Sequence, residues 1–185
     1  MARLPVPTRD DIPEEQRNTF DEIVERMGRV PQVGPEAAMI YVPEAHKWIA
    51  GLSNYLRFES ALSMRTRELA ILVTARELDC QHIWNAHAPL GRDNGVPDEL
   101  IAALRERRPL PAMHPGDAAV VYLGQEFFQT HKVSRGAFQS ALEQYGQRGA
   151  VEIVLTMGSY ALFSFAVNAF DTDLVADRTE PLLPV

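Results

Sequence analysis

Residues 64–97, MRTRELAILVTARELDCQHIWNAHAPLGRDNGVP, read as two helices separated by a short break near Asp79. In the first, Glu68 shares a stripe with Ile71, Leu72, Ala75 and Leu78, the i, i+3, i+4, i+7 spacing of a core-facing surface. In the second, Cys80, Ile83, Trp84, His87, Leu90 and Gly91 share a stripe, so His87 points inward with Trp84. A carboxylate and an imidazole set among apolar side chains are costly unless they are paired or used. This pair of helices therefore predicts both the fold class and the candidate site.

Helical patterning extends outward in both directions. Upstream, residues 1–12 are Pro-rich and polar, an arm expected to lie on the surface or on a neighbouring subunit. Asp11 is placed to cap a helix over residues 13–27, with Phe20, Ile23, Val24 and Met27 inward and Gly28 at its end. A short helix over 35–41 and a longer one over 44–59 follow, the latter carrying His46 and Arg57 near one side. Ser63 is the expected N-cap of the Glu68 helix.

Downstream, Pro89 should bend the His87 helix near Asn85 by removing one backbone hydrogen bond. Helices are expected from Pro97, over 117–131, and from Ser134 to a stop at Gly146. The last, about 149–170, is apolar almost all round and so is expected at the centre of the fold, with Gly158, Ser159 and Ala161 admitting a close neighbour. The tail after Asp173 reads as loose. No strand alternation, hairpin turn or repeat is present, which makes this a single all-α domain.

The bulk properties exclude several classes. A chain of 185 residues with 46% hydrophobic and 23% charged residues can bury a core without staples. A net charge of −7 disfavours a nucleic-acid or anionic-membrane partner. The single cysteine, Cys80, allows no intrachain disulfide. The opening MARLPVPTRDDIP has no apolar signal region, and Glu152, Ser159, Ser164 and Asn168 in the apolar run favour a core or subunit-interface helix over a membrane span. The expectation is a cytoplasmic protein.

Glu68 and Cys80 are twelve residues apart and Cys80 and His87 seven, so a crossed or antiparallel helix pair can bring all three together. A carboxylate bonded to an imidazole fixes its tautomer and equips it as a general acid or base. A thiol beside that imidazole is a candidate nucleophile. Structural readings stand beside these: an ion pair of Glu68 with Arg57, Arg65 or Arg67, a core histidine at His87, and a small buried hydrophobe at Cys80. Cys80, His82 and His87 match no paired-ligand metal motif, and no glycine-rich phosphate loop occurs, so neither metal nor nucleotide cofactor is expected.

The segments RELAILVTAREL, CQHIWNAHAPLG and GVPDELIAAL, with DAAVVYLGQEFF, VSRGAF and GAVEIVLTMGSY later, resemble the carboxymuconolactone decarboxylase family, which includes the alkylhydroperoxidase D-like (AhpD-like) proteins. The likeness covers about residues 35–172, leaving an arm and first helix over 1–34 and a tail over 173–185. It implies an AhpD-like multi-helix bundle that assembles through its helices as a homotrimer or homohexamer. The peroxidase branch of that family carries a Glu, a Cys-x-x-Cys and a His. Here Glu68, Cys80 and His87 fit, with His82 between the cysteine positions, but Ile83 stands where the second cysteine belongs. One thiol cannot close the disulfide on which peroxide reduction depends. Trp84, His87, Pro89 and Leu90 instead fit the W-x-x-H-x-P-L of the decarboxylase branch.

By that resemblance His87 is the proton donor or base and Glu68 its orienting partner, in cofactor-free loss of CO₂ from a small carboxylated lactone or an isomerisation in aromatic catabolism. Arg57 or His46 would hold the substrate carboxylate, with Trp84 and His82 beside them. Two further readings stay open: a thiol-dependent peroxide reductase using Cys80 with an external resolving thiol, and a non-catalytic oligomeric protein that binds a small anionic ligand.

Overall fold

The computed structural model describes residues 2–174 and 178–185. Two 3₁₀ turns, Arg9–Asp11 and Glu14–Gln16, precede eight helices among the described residues: α1 (Arg17–Met27), α2 (Gly34–Met39), α3 (Pro43–Phe58), α4 (Met64–Glu77), α5 (Gln81–Asp93), α6 (Asp98–Glu106), α7 (Pro115–Thr130) and α8 (Arg135–Phe170). No strand is present among those residues, and the fold is the expected all-α bundle.

The central helix is α4, not the last one. Every residue from Thr66 to Arg76 is buried, and α4 packs on α5, α6, α7 and α8. Its sequence explains this: Leu69, Ala70, Ile71, Leu72, Val73 and Ala75 cover all sides of the helix and each is at most 1% exposed. The expected central position of the last helix is corrected accordingly. One side of α8 supplies Ile153, Met157, Phe163 and Val167 to the core, while Val151, Val154 and Phe165 stand exposed. By length and composition alone α8 could cross a membrane, yet it serves as a core helix here. The close approach also lies elsewhere. A Cβ at Gly158 would meet nothing, whereas one at Gly124 on α7 would sit 2.7 Å from Val73 Cγ1 and 2.9 Å from Met157 Cε.

Local signals set the element boundaries. Ser63 Oγ accepts from the Thr66 amide at 3.1 Å and Ser134 Oγ from the Ala137 amide at 3.2 Å, each capping its helix. Gly28 closes α1 at φ +73°. Gly146 breaks α8 at φ 64°, ψ −178°, a conformation essentially confined to glycine. Asp79, at φ 49°, turns the chain between α4 and α5 and pairs with Arg76 and Arg107. Asp11 does not cap the following helix as expected. Its carboxylate accepts from the Thr8 amide at 2.8 Å and the Thr8 hydroxyl at 2.7 Å, closing the first 3₁₀ turn, so α1 starts later, at Arg17.

Both termini are tied down. The arm lies on its own chain: the Arg3 amide donates to Phe170 O at 2.8 Å and its guanidinium to Ala169 O at 2.9 Å, satisfying carbonyls at the end of α8. The expectation of a loose tail is overturned over residues 178–185, while residues 175–177 lie outside the described residues. The Gln81 amide pairs with both backbone groups of Leu183, at 3.0 and 2.7 Å, Arg76 reaches Pro184 O at 3.0 Å, and Arg92 binds Glu180. Leu183 is buried in the main core. A single apolar side chain flanked by backbone acceptors is too short a signal for sequence periodicity to reveal.

Candidate active site

Residues packed in α4 and α5 bring Glu68 and His87 together. His87 Nδ1 lies 2.7 Å from Glu68 Oε2, with the two side chains 16% and 6% exposed. A carboxylate offers only acceptors, so Nδ1 carries the proton and Nε2 is left to accept or transfer one. Among the described residues Nε2 makes no hydrogen bond, and it is not one of the polar atoms sealed from solvent.

None of the three arginines considered as partners pairs with Glu68. Arg65 forms a forked bond to Asp117, with a contact of 2.6 Å from Nη2 to Oδ2. Arg67 is buried and donates to the carbonyls of Leu56, at 3.0 Å, and Arg57, at the end of α3. There its positive charge complements the helix terminus and fixes the α3 backbone beside the site. Arg57 itself lies over the Phe58 ring at 5.5 Å and lines a cleft of about 250 Å³ with Met39, Ile49, Ser53 and Phe163.

Phe163 joins that cleft to the pair through a chain of rings. Its centroid is 5.4 Å from Tyr160, whose ring stands edge-on to His87 at 5.0 Å and 88°. Burial, and then the charge of Glu68, push the Tyr160 phenol up to about 12, with Arg57 and Arg67 opposing. Tyr160 keeps its proton at neutral pH. Sequence reading overlooked Tyr160 because it sits in an apolar run. A signal was present: Glu152, Thr156, Tyr160, Ser164 and Asn168 form a polar-tipped stripe at i+4 steps, all but Asn168 turned inward.

Among the described residues none of the remaining candidates hydrogen-bonds to this pair. Cys80 is the N-cap of α5, fully buried, and burial pushes its thiol up despite opposing contacts from the Ile83 backbone and Ser164. Such a thiol is poorly ionised and shielded. Trp84 is wholly buried in the main core, its indole N–H without a partner among the described residues. His46 is 1% exposed and bonded through Nε2 to Glu36, beside an apolar groove that shares Met39 and Ile49 with the Arg57 cleft. His82 packs against Gly34, where φ is +70° and a Cβ would come within 2.6 Å of the imidazole Nε2. Burial pushes His82 down, so it stays neutral. Among the described residues no three His, Cys, Asp or Glu side chains gather as a metal-ligand group.

Comparison with known proteins agrees with this architecture. The model of the carboxymuconolactone decarboxylase family matches residues 43–114, the segment that contains Glu68, Cys80 and His87. The fold is similar to the AhpD alkylhydroperoxidase core of an uncharacterised peroxidase-related protein from Ralstonia eutropha JMP134. The TM-score is 0.70 at 16% identity, over 95% of this chain and 93% of that one. A peroxidase-related protein from Silicibacter sp. TM1040 gives 0.69 at 20% identity, over 98% and 95%. A cysteine-to-alanine variant of the debrominase Bmp8, in complex with 2,3,4-tribromopyrrole, gives 0.67 at 12% identity, over 95% and 92%. Comparison with curated protein sequences returns no match. Likeness at such identities carries the fold and not the reaction. The family match thus spans α3 to α6, and beyond it the chain shares its fold with these AhpD-like structures over nearly the whole length.

Proposed function

We propose that the chain is a cofactor-independent lyase or isomerase of the decarboxylase type, acting on a small carboxylated lactone or a related aromatic-catabolism intermediate. The observation that carries this reading is the 2.7 Å bond between His87 Nδ1 and Glu68, which leaves the second imidazole nitrogen for proton transfer. Glu68 holds the tautomer and stabilises the imidazolium when it forms. Arg57, in the cleft that Phe163 joins to Tyr160 and His87, is the favoured cation for the substrate carboxylate. His46 is less suited, because its Nε2 is committed to Glu36.

The thiol-reductase reading draws no support from the site. Ile83 replaces the resolving cysteine, and Cys80 is buried with its thiol pushed up. We place the protein in the cytoplasm as a homo-oligomer. The exposed apolar residues Trp48 and Phe58 on α3 and Val151 and Phe165 on α8 support assembly through helices. The functional reading is tested by following CO₂ release from carboxymuconolactone. His87→Ala should abolish it, and release at the wild-type rate by that variant would refute the reading.

A further inference from the structure

We propose that the Tyr160 hydroxyl is a catalytic hydrogen-bond donor, binding the substrate carbonyl oxygen that becomes negatively charged as the carboxylate departs. The inference rests on the His87–Glu68 acid–base reading and adds to it the group that takes up the charge.

Three observations carry it. Tyr160 is clamped between two rings, His87 at 5.0 Å and Phe163 at 5.4 Å, both near perpendicular, so its position is fixed relative to the imidazole. It is 8% exposed, yet among the described residues its hydroxyl makes no hydrogen bond, and that oxygen is not sealed from solvent. A tyrosine so buried ordinarily finds a partner for its O–H. Three of its four stripe neighbours do: Glu152 accepts from Tyr55 and Ser60, Thr156 donates to Glu152 O, and Asn168 donates to Leu78 O, whereas the buried Ser164 Oγ has no hydrogen-bond partner among the described residues. Tyr160 is thus a neutral donor held by its ring contacts beside the His87 imidazole, with a solvent-accessible hydroxyl that no described residue engages. That is the arrangement which stabilises an oxyanion without reorganisation.

In the step itself, the C–C bond to the substrate carboxylate breaks and that carbon leaves as CO₂. The electron pair moves into the conjugated carbonyl, giving an enolate whose oxygen accepts the Tyr160 hydrogen bond. The imidazolium form of His87 then protonates the enolate carbon, and water restores the proton to His87. Tyr160 keeps its own proton throughout, which suits a phenol held up by burial and by the nearby Glu68 charge.

The test compares wild type, Tyr160→Phe and His87→Gln with carboxymuconolactone as substrate, reading kcat, KM and the melting temperature. Phenylalanine keeps both ring contacts and removes only the hydroxyl. The expected result is a kcat loss of about 10²–10³-fold, with KM and melting temperature near wild type. Unchanged kcat in Tyr160→Phe beside an inactive His87→Gln overturns this role for Tyr160 and leaves the acid–base reading standing. A wild type that neither binds nor decarboxylates carboxymuconolactone overturns that reading and this inference with it. Should Tyr160→Phe fold poorly, 3-fluorotyrosine at the same position preserves shape while raising acidity. A changed kcat at constant melting temperature then supports the proposal, and an unchanged kcat overturns it.

Discussion

Glu68→Gln separates the two things Glu68 is held to do. The glutamine oxygen can still accept from His87 Nδ1 across the 2.7 Å contact, so the imidazole keeps its orientation and tautomer. The negative charge that stabilises an imidazolium is lost. Replacing a charge-assisted hydrogen bond by a neutral one costs on the order of 1 kcal/mol. In a domain of this size that lowers the melting temperature by about 2–4 °C. The penalty on proton transfer is larger, because it falls on the charged form of His87, and we expect kcat to drop by about 10²-fold or more. Glu68→Ala goes further, leaving a mostly buried N–H without an acceptor at roughly 1–3 kcal/mol. Thermal melts and steady-state decarboxylation of carboxymuconolactone by both variants provide the comparison. A Glu68→Gln protein with wild-type kcat would refute the argument that the carboxylate supports an imidazolium.

Other consequences follow from packing and burial. Gly124→Ala places a methyl 2.7 Å from Val73 and 2.9 Å from Met157 at the centre of the bundle, and should cost about 1–3 kcal/mol in urea unfolding. Cys80 should resist iodoacetamide in the folded protein and react promptly only in denaturant, because its side chain is fully buried and its thiol pushed up; rapid native-state labelling would contradict the placement. The Tyr160 phenol is raised from 10.0 to about 12, so the folded state holds this proton more tightly than the unfolded chain. The associated stability is complete below pH 10 and is lost as pH rises toward about 12, roughly 2–3 kcal/mol in all. Tyr160→Phe should therefore flatten the alkaline decline in stability, measured by denaturant melts at stepped pH.

The pairing of Glu68 with His87 was legible because two ionisable side chains fell on stripes that periodicity turned inward, and burial demanded a partner for each. Ser63, Gly28 and Gly146 were legible for a similar reason: capping and left-handed backbone depend on single residue types at fixed offsets. What periodicity could not rank was burial between two apolar helices. Counting apolar residues favoured the last helix, yet α4 is the one enclosed on every side, and the apolar excess of α8 is partly left on the surface. Leu183 and Glu180 could not be placed either, since their anchors, Gln81 and Arg92, lie about a hundred residues away in sequence. Tyr160 was hidden by its apolar neighbours, and only the ring contact with His87 and a hydroxyl open to solvent distinguish it from a core aromatic.

In the proposed reaction imidazole, and not thiol, carries the chemistry. The direct measurement is CO₂ release from carboxymuconolactone by wild type, His87→Ala and Cys80→Ser side by side, with no thiol or peroxide present. Release is expected from wild type and Cys80→Ser and not from His87→Ala. Release that persists in His87→Ala, or that is lost only in Cys80→Ser, would contradict it.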